Sequence, residues 1–185
     1  MSALGGGDGC VYEKADVTLD SSGMAIFSLA SFNTELRYDG STDQLQVLSG
    51  GEGSDCSLEI GIVTSVYFAS QEPYVAIEGH SGNSRFLQPV DLRTCREIGP
   101  SIEMTEDSVL ERDTLFVPPI CDCVDPDETE CLCASASVYQ VSSTCELVKD
   151  RTASRELTEQ RTNVSFEGRK KIAFPGKNNA ELLDE

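Results

Sequence analysis

Apolar residues recur along this chain in short runs of strand length, divided by turn chemistry at nearly regular intervals. Residues 11–19 alternate loosely between apolar and polar, and Asp20-Ser21-Ser22-Gly23 is a turn signal. The run Met24-Ala25-Ile26-Phe27-Ser28-Leu29 has the length and make-up of a strand. Leu36-Arg37-Tyr38 leads through Asp39-Gly40-Ser41 into Leu45-Gln46-Val47-Leu48, which predicts a hairpin because Asp-Gly suits a tight turn. Residues 49–55, with three glycines, read as a loop.

The same plan then recurs. Residues 60–68 are strand-like, Gln71-Glu72-Pro73 is a turn, and Tyr74-Val75-Ala76-Ile77 is an apolar strand. Residues 79–84 read as a loop ahead of Phe86-Leu87, and Val90-Asp91-Leu92 turns at Arg93-Thr94 into Cys95-Arg96-Glu97-Ile98. After Pro100, Leu115-Phe116-Val117 is the matching apolar strand. Val138-Tyr139-Gln140-Val141, Ser142-Ser143-Thr144 and Cys145-Glu146-Leu147-Val148 form the matching hairpin. Residues 164–174 look like a partial fourth copy. Only residues 151–162 read as helical, and Leu157 is their sole large apolar side chain, so an exposed, marginal helix is expected there.

Aligning Ile26, Ile77, Val117 and Phe174 gives separations of 51, 40 and 57 residues. That spacing is near the ~40–50 residues of a propeller blade. The expected fold is all-β and antiparallel, with about four blade-like units, the last incomplete. It would be a four-bladed ring closed by the N-terminal strand, or a fragment of a larger ring. A disulfide-stapled β-sandwich is the alternative, because strand-turn-strand recurs in any antiparallel sheet. On this reading residues 1–9 are a flexible Gly-rich leader, residues 10–176 a single repeat domain and residues 177–185 a polar tail.

Residues 90–98, Val-Asp-Leu-Arg-Thr-Cys-Arg-Glu-Ile, resemble the outer hairpin of secreted β-propeller repeats of the YVTN and WD-like kind. The resemblance spans most of residues 20–176. It departs from the pattern in carrying Cys95 where the turn glycine belongs, and in lacking a Trp-Asp pair.

Charge narrows the function. The net charge is −18, with 14 Lys and Arg spread against 32 Asp and Glu, so phosphate backbones and anionic membrane surfaces are poor partners. No apolar run approaches the ~20 residues of a membrane-spanning helix. The opening residues have neither a charged nor an apolar signal region and are read as a mature N-terminus with its signal peptide removed.

Eight cysteines, an even number without a redox Cys-x-x-Cys, point to disulfides and an oxidising compartment, whether extracellular, periplasmic or cell-surface. Four of them flank an acidic turn as two Cys-x-Cys pairs. An antiparallel hairpin about Glu128 would set Cys121 opposite Cys133 and Cys123 opposite Cys131, with all four sulfurs on one face. That array suits two cross-strand disulfides better than tetrahedral zinc, which usually takes Cys-x₂₋₄-Cys knuckles. Cys10, Cys56, Cys95 and Cys145 allow three connectivities. Of these, Cys56–Cys95 with Cys10–Cys145 is preferred, because the first pair brackets one repeat.

Other chemistry is sparse. Asp125, Asp127, Glu128 and Glu130 crowd the finger's turn but lack the oxygen spacing and glycine of an EF-hand loop. His80 is the only histidine, and no Gly-x-Ser-x-Gly elbow accompanies it. There is no phosphate-binding loop or dinucleotide fingerprint, and without Trp a sugar-stacking cleft is a poor expectation. No catalytic residue, metal ligand or cofactor is therefore assigned.

The expected function is a binding or scaffold module for a protein or extracellular glycan. Its contact loops are those of His80 and Asn83 and of the cysteine finger. It is expected neither to bind nucleic acid nor to insert in a membrane. The alternatives are an extracellular hydrolase using a carboxylate pair, and a thiolate metal-binding module.

Overall fold

The computed structural model describes residues 9–49, 57–71, 73–118, 121–122, 132–133, 135–162, 171–172 and 182–183. They are mostly β, in antiparallel sheets, with one helix.

A short strand β1 (Tyr12–Lys14) precedes the first sheet, which runs β2 (Asp16–Leu19), β3 (Ala25–Ser28), β4 (Thr34–Asp39), β5 (Gln44–Ser49) and β6 (Ser57–Glu59), each strand beside the next. The second sheet follows as β7 (Ile62–Ala69), β8 (Tyr74–Ser81), β9 (Ser84–Asp91) and β10 (Arg96–Glu97), with β11 (Ile102–Met104) also on β9 and β1 added beside β7. The third is β12 (Val109–Glu111), β13 (Thr114–Val117), β16 (Ser137–Val141) and β17 (Leu147–Asp150). Between β13 and β16 a two-stranded finger, β14 (Cys121–Asp122) and β15 (Leu132–Cys133), stands apart. Helix α1 (Arg151–Thr162) comes next, then a ladder of β18 (Lys171–Ile172) with β19 (Leu182–Leu183), the latter inside the segment expected to be a polar tail.

Alternation along the strands decides how these sheets stack. In the first sheet Phe27, Leu36, Tyr38, Leu45 and Val47 point to one side and are buried, while Arg37 and Gln46 between them are not. The second sheet is buried on both faces. Val66, Phe68, Val75, Ile77 and Val90 pack on the first sheet; Tyr67, Ala69, Ala76 and Leu87 pack with Leu110 and Leu115 of the third. This is why residues 60–77 read as near-continuous apolar runs rather than an alternation.

Pro89 lies inside this central sheet, where a missing N–H would normally be costly. Its carbonyl accepts from Ile98 N–H at 2.8 Å on the outer side of β9. The absent donor therefore faces the gap where β10 has ended and β11 has not begun.

Helix α1 is docked, which corrects the expectation of an exposed one. Leu157 is only 8% exposed and joins Ala136 and Val138, with Phe116 and Ala153 against them. Asp150 caps the helix, accepting from the N–H groups of Thr152 and Ala153 at 3.0 and 2.9 Å. β17 ends at Asp150, leaving N–H groups at and just before the start of β16 without a strand neighbour. Val138 N–H donates to Ser154 Oγ at 2.9 Å and Ala136 N–H to Thr158 Oγ1 at 3.1 Å. Four helical residues rise ~6 Å, close to the ~6.8 Å of two strand residues, so one helix face meets successive donors. Sequence periodicity counted only the apolar anchor and missed the hydroxyls.

Two further expectations change. Residues 11–19 are not one strand: β1 belongs to the second sheet and β2 to the first, and Ala15 between them is buried, its N–H donating to the Val66 carbonyl at 2.8 Å. The loop expected over residues 79–84 is a tight hairpin, with Ser81 paired to Ser84 and only Gly82 and Asn83 in the turn. Gly82 has φ +61°, as the first central residue of a type II′ turn requires. Strands β11 and β12 went unread because each is only three residues long.

Candidate functional site

The N-terminal strand forms one side of a cleft. Tyr12, Glu13 and Lys14 pair with Ala69, Phe68 and Tyr67 of β7, while Tyr12 alone also bridges to Arg112 just past β12. Its N–H donates to the Arg112 carbonyl at 2.7 Å, and Arg112 turns back with φ 54°. Beyond that bridge β1 and β12 part. The space between them, about 470 Å³, is lined by Lys14, Glu13, Leu110, Glu111, Glu106 and the side chains of its floor.

The floor is a buried polar cluster. Glu78, 5% exposed on β8, accepts from Tyr67 Oη at 3.0 Å through Oε2. Its Oε1 accepts from Arg85 Nε at 3.0 Å and Nη2 at 2.8 Å, and from Thr64 Oγ1 at 3.1 Å. Thr64 falls at a bulge between Val63 and Ser65, the kind of irregularity that re-aims a side chain. Arg85 Nη1 donates to the carbonyls of Thr105 and Glu106, each at 2.7 Å, and so pins the connection between the second and third sheets. Burial, reinforced by the Glu78 carboxylate, pushes the Tyr67 phenol well above its ordinary range.

Such a cluster holds the cleft rigid. Charge-assisted bonds from Arg85 on β9, and hydrogen bonds from Tyr67 and Thr64 on β7, meet at the Glu78 carboxylate on β8 and tie the three strands together. With both oxygens engaged, Glu78 is poorly placed to serve as a hydrolytic acid or base.

The wall beside it is covalently secured. Cys10 and Cys145 form a disulfide across 135 residues, and both are buried. Tyr12 Oη donates to the Cys145 carbonyl at 2.7 Å, and burial raises its pKa far above the usual phenol range. Cys95 is also disulfide-bonded. Cys95 and Cys145 both have positive φ, 51° and 61°, in the turns leading to β10 and β17, and Asp43 has φ 55° in the turn leading to β5.

The residues expected from sequence to form contact loops lie elsewhere. His80 is the penultimate residue of β8, opposite Ile62 and Arg85, on the same face as Glu78 two residues earlier. Asn83 is exposed at the turn. Cys121 stands opposite Cys133 in the finger's ladder. Cys56, Cys123, Cys131, Asp125, Asp127, Glu128 and Glu130 lie outside the described residues. Among the described residues no group of three or more His, Cys, Asp or Glu is arranged to hold a metal ion, and no helix is long and apolar enough to cross a membrane.

The cleft went unseen in the sequence because its residues come from five separate strands and the β11–β12 turn. The one local hint is Glu78, a lone charge in the apolar run of β8. No known family, curated protein or solved structure matches this chain.

Proposed function

We propose that this protein is an extracytoplasmic, disulfide-stabilised binding or scaffold module, built of blade-like β units that present loops to a protein or glycan partner. The observation that carries the reading is the Cys10–Cys145 disulfide, which ties the N-terminal strand to a turn of the third sheet. A disulfide between such distant segments suits an oxidising compartment, as does the bonded Cys95. The high negative charge favours a soluble surface over anionic partners.

The blade-like part of the reading is supported by a shared order. Ile26, Ile77 and Val117 each lie on a second strand, β3, β8 and β13, and a tight hairpin makes the third and fourth strands of each sheet. Asp43, Cys95 and Cys145 occupy the left-handed position of those hairpins, where the resembled repeats carry glycine. Among the described residues no ring closes: β1 joins the middle sheet and α1 covers the outer face of the third.

The test is the thiol state and partner selection of the protein secreted from an oxidising compartment. Mass spectrometry after alkylation under denaturing, non-reducing conditions should find no free thiol. Arrays of oligosaccharides and of displayed peptides should then give saturable binding that needs the disulfides. Eight alkylated cysteines would overturn the compartment, and no binder in either array would overturn the binding role.

A further inference from the structure

The cleft between β1 and β12 has an open hydrogen-bonding edge on each side. Along β1, Val11 and Ala15 direct their backbone groups to the second sheet: Ser70 N–H donates to the Val11 carbonyl at 2.7 Å, and Ala15 N–H to that of Val66. By strand alternation Tyr12 and Lys14 face the other way, and Tyr12 does so in reaching Arg112. Lys14 therefore turns its N–H and C=O into the cleft.

On the opposite wall Glu111 pairs with Thr114 across the two-residue turn and so faces β13, which leaves Leu110 facing the cleft. No other described strand pairs with either edge beyond the Tyr12–Arg112 bridge. Two unpaired edges with a rigid polar floor between them form a slot for an extended chain, since backbone pairing is what such edges recruit.

Charge selects among such chains. Glu13, Glu106 and Glu111 outnumber Lys14 and Arg112 around the mouth, Arg85 on the floor is already held by Glu78, and the whole protein carries −18. The cleft volume lies within the ~300–1,000 Å³ of small-ligand sites, enough for a few residues rather than a domain. We infer that the slot between β1 and β12 binds a short extended peptide segment bearing lysine or arginine, paired through the Lys14 and Leu110 backbones. This deepens the binding reading above and rests on it, but assigns the contact to the cleft instead of the loops.

The test begins with random eight-residue peptides displayed on phage and selected on the disulfide-intact protein. Selected sequences should be rich in Lys or Arg and poor in proline. A synthetic copy should slow hydrogen exchange at the Lys14 and Leu110 amides. Its affinity should fall about tenfold in Glu106→Lys/Glu111→Lys, the scale expected for reversing two rim charges. It should hold in Glu146→Lys, a control on the exposed turn before β17. Selection without basic residues, or binding that leaves both amides unprotected, overturns the slot. Protection confined to the Gly82-Asn83 turn would overturn it while sparing the binding reading, and a library yielding no binder would remove the slot whatever the glycan array shows.

Discussion

Tyr12 and Cys145 lie 133 positions apart, yet the tyrosine hydroxyl donates to the cysteine carbonyl at 2.7 Å inside the core. Two residues before Tyr12, Cys10 is bonded to the sulfur of that same cysteine. The strand that lines one side of the cleft is thus held at a single turn of the third sheet by a covalent bond and a hydrogen bond. From Tyr12 to Lys14 it pairs with β7 of the second sheet.

That attachment sets the first expectation. A crosslink spanning 135 residues restricts the unfolded chain strongly, so Cys10→Ser should lower unfolding stability by about 2–5 kcal/mol in a urea titration. Cys145 adds a second effect, because φ 61° disfavours any residue with a Cβ. Cys145→Gly should therefore be more stable than Cys145→Ala by about 1 kcal/mol, although both lose the disulfide. Equal stability of the two would discard the left-handed turn.

Glu78 and Arg85 should behave as a buried pair with the cost on the broken side. Side-chain exposures of 6% and 20% leave little solvent to screen a lone charge. Arg85→Met alone should cost about 3 kcal/mol and free the connection at Thr105 and Glu106, seen as faster exchange there. Tyr67→Phe, which removes one donor to Glu78, should cost only about 1–2 kcal/mol by the same titration.

Alkaline stability follows chiefly from the two buried phenols with the largest shifts, Tyr12 and Tyr67. Tyr12 and Tyr67 have folded-state pKa values raised above the unfolded value of 10.0, mainly by burial. A raised pKa means the folded protein holds those protons more tightly. The stabilisation is full below pH 10.0 and is lost as pH climbs beyond it. Of five tyrosines, these two should show no phenolate absorbance until the protein unfolds, and the Tyr12→Phe/Tyr67→Phe variant should lose stability less steeply than the parent as pH rises above 10.0. Smooth titration of all five in the folded state would contradict their burial.

The acid side has a smaller counterpart at the turn before β3. Asp20 accepts from Ser22 Oγ, from the N–H groups of Ser22 and Met24, and from Arg37, and its pKa is lowered to about 2, chiefly by the Ser22 hydroxyl. A lowered pKa contributes stability above the unfolded value that is lost as pH falls toward about 2. Carbon NMR of the Asp20 carboxyl should show the low midpoint, and Ser22→Ala should move it upward. A midpoint unmoved by that change would remove the hydroxyl as the cause.

Helix docking gives the last expectation. Ser154→Ala leaves the Val138 N–H without its acceptor in a buried place and should cost about 1–3 kcal/mol, with faster exchange at Val138. Exposed Glu156→Ala on the same helix should change stability by less than about 0.5 kcal/mol. If the two variants were equally stable, the hydroxyl would not be anchoring the helix.

Sequence alone was enough for the antiparallel β class and the hairpins at Asp39 and Asp91. It also gave the helix limits and the opposition of Cys121 to Cys133, because each depends on neighbours within a few tens of residues. It reached the right hairpin at Asp39 for a partly mistaken reason. Asp43, not Gly40, takes the left-handed conformation, since a four-residue loop moves the strain to its last position. Tertiary structure decided the rest. Whether residues 11–19 made one strand or two depended on which sheets lay on either side of Ala15. The cleft required β1 to reach both β7 and Arg112, and Glu78 became its floor only when Arg85, Tyr67 and Thr64 converged on it. Hydrophobic periodicity records which face of a strand is buried; it does not record which distant strand buries it.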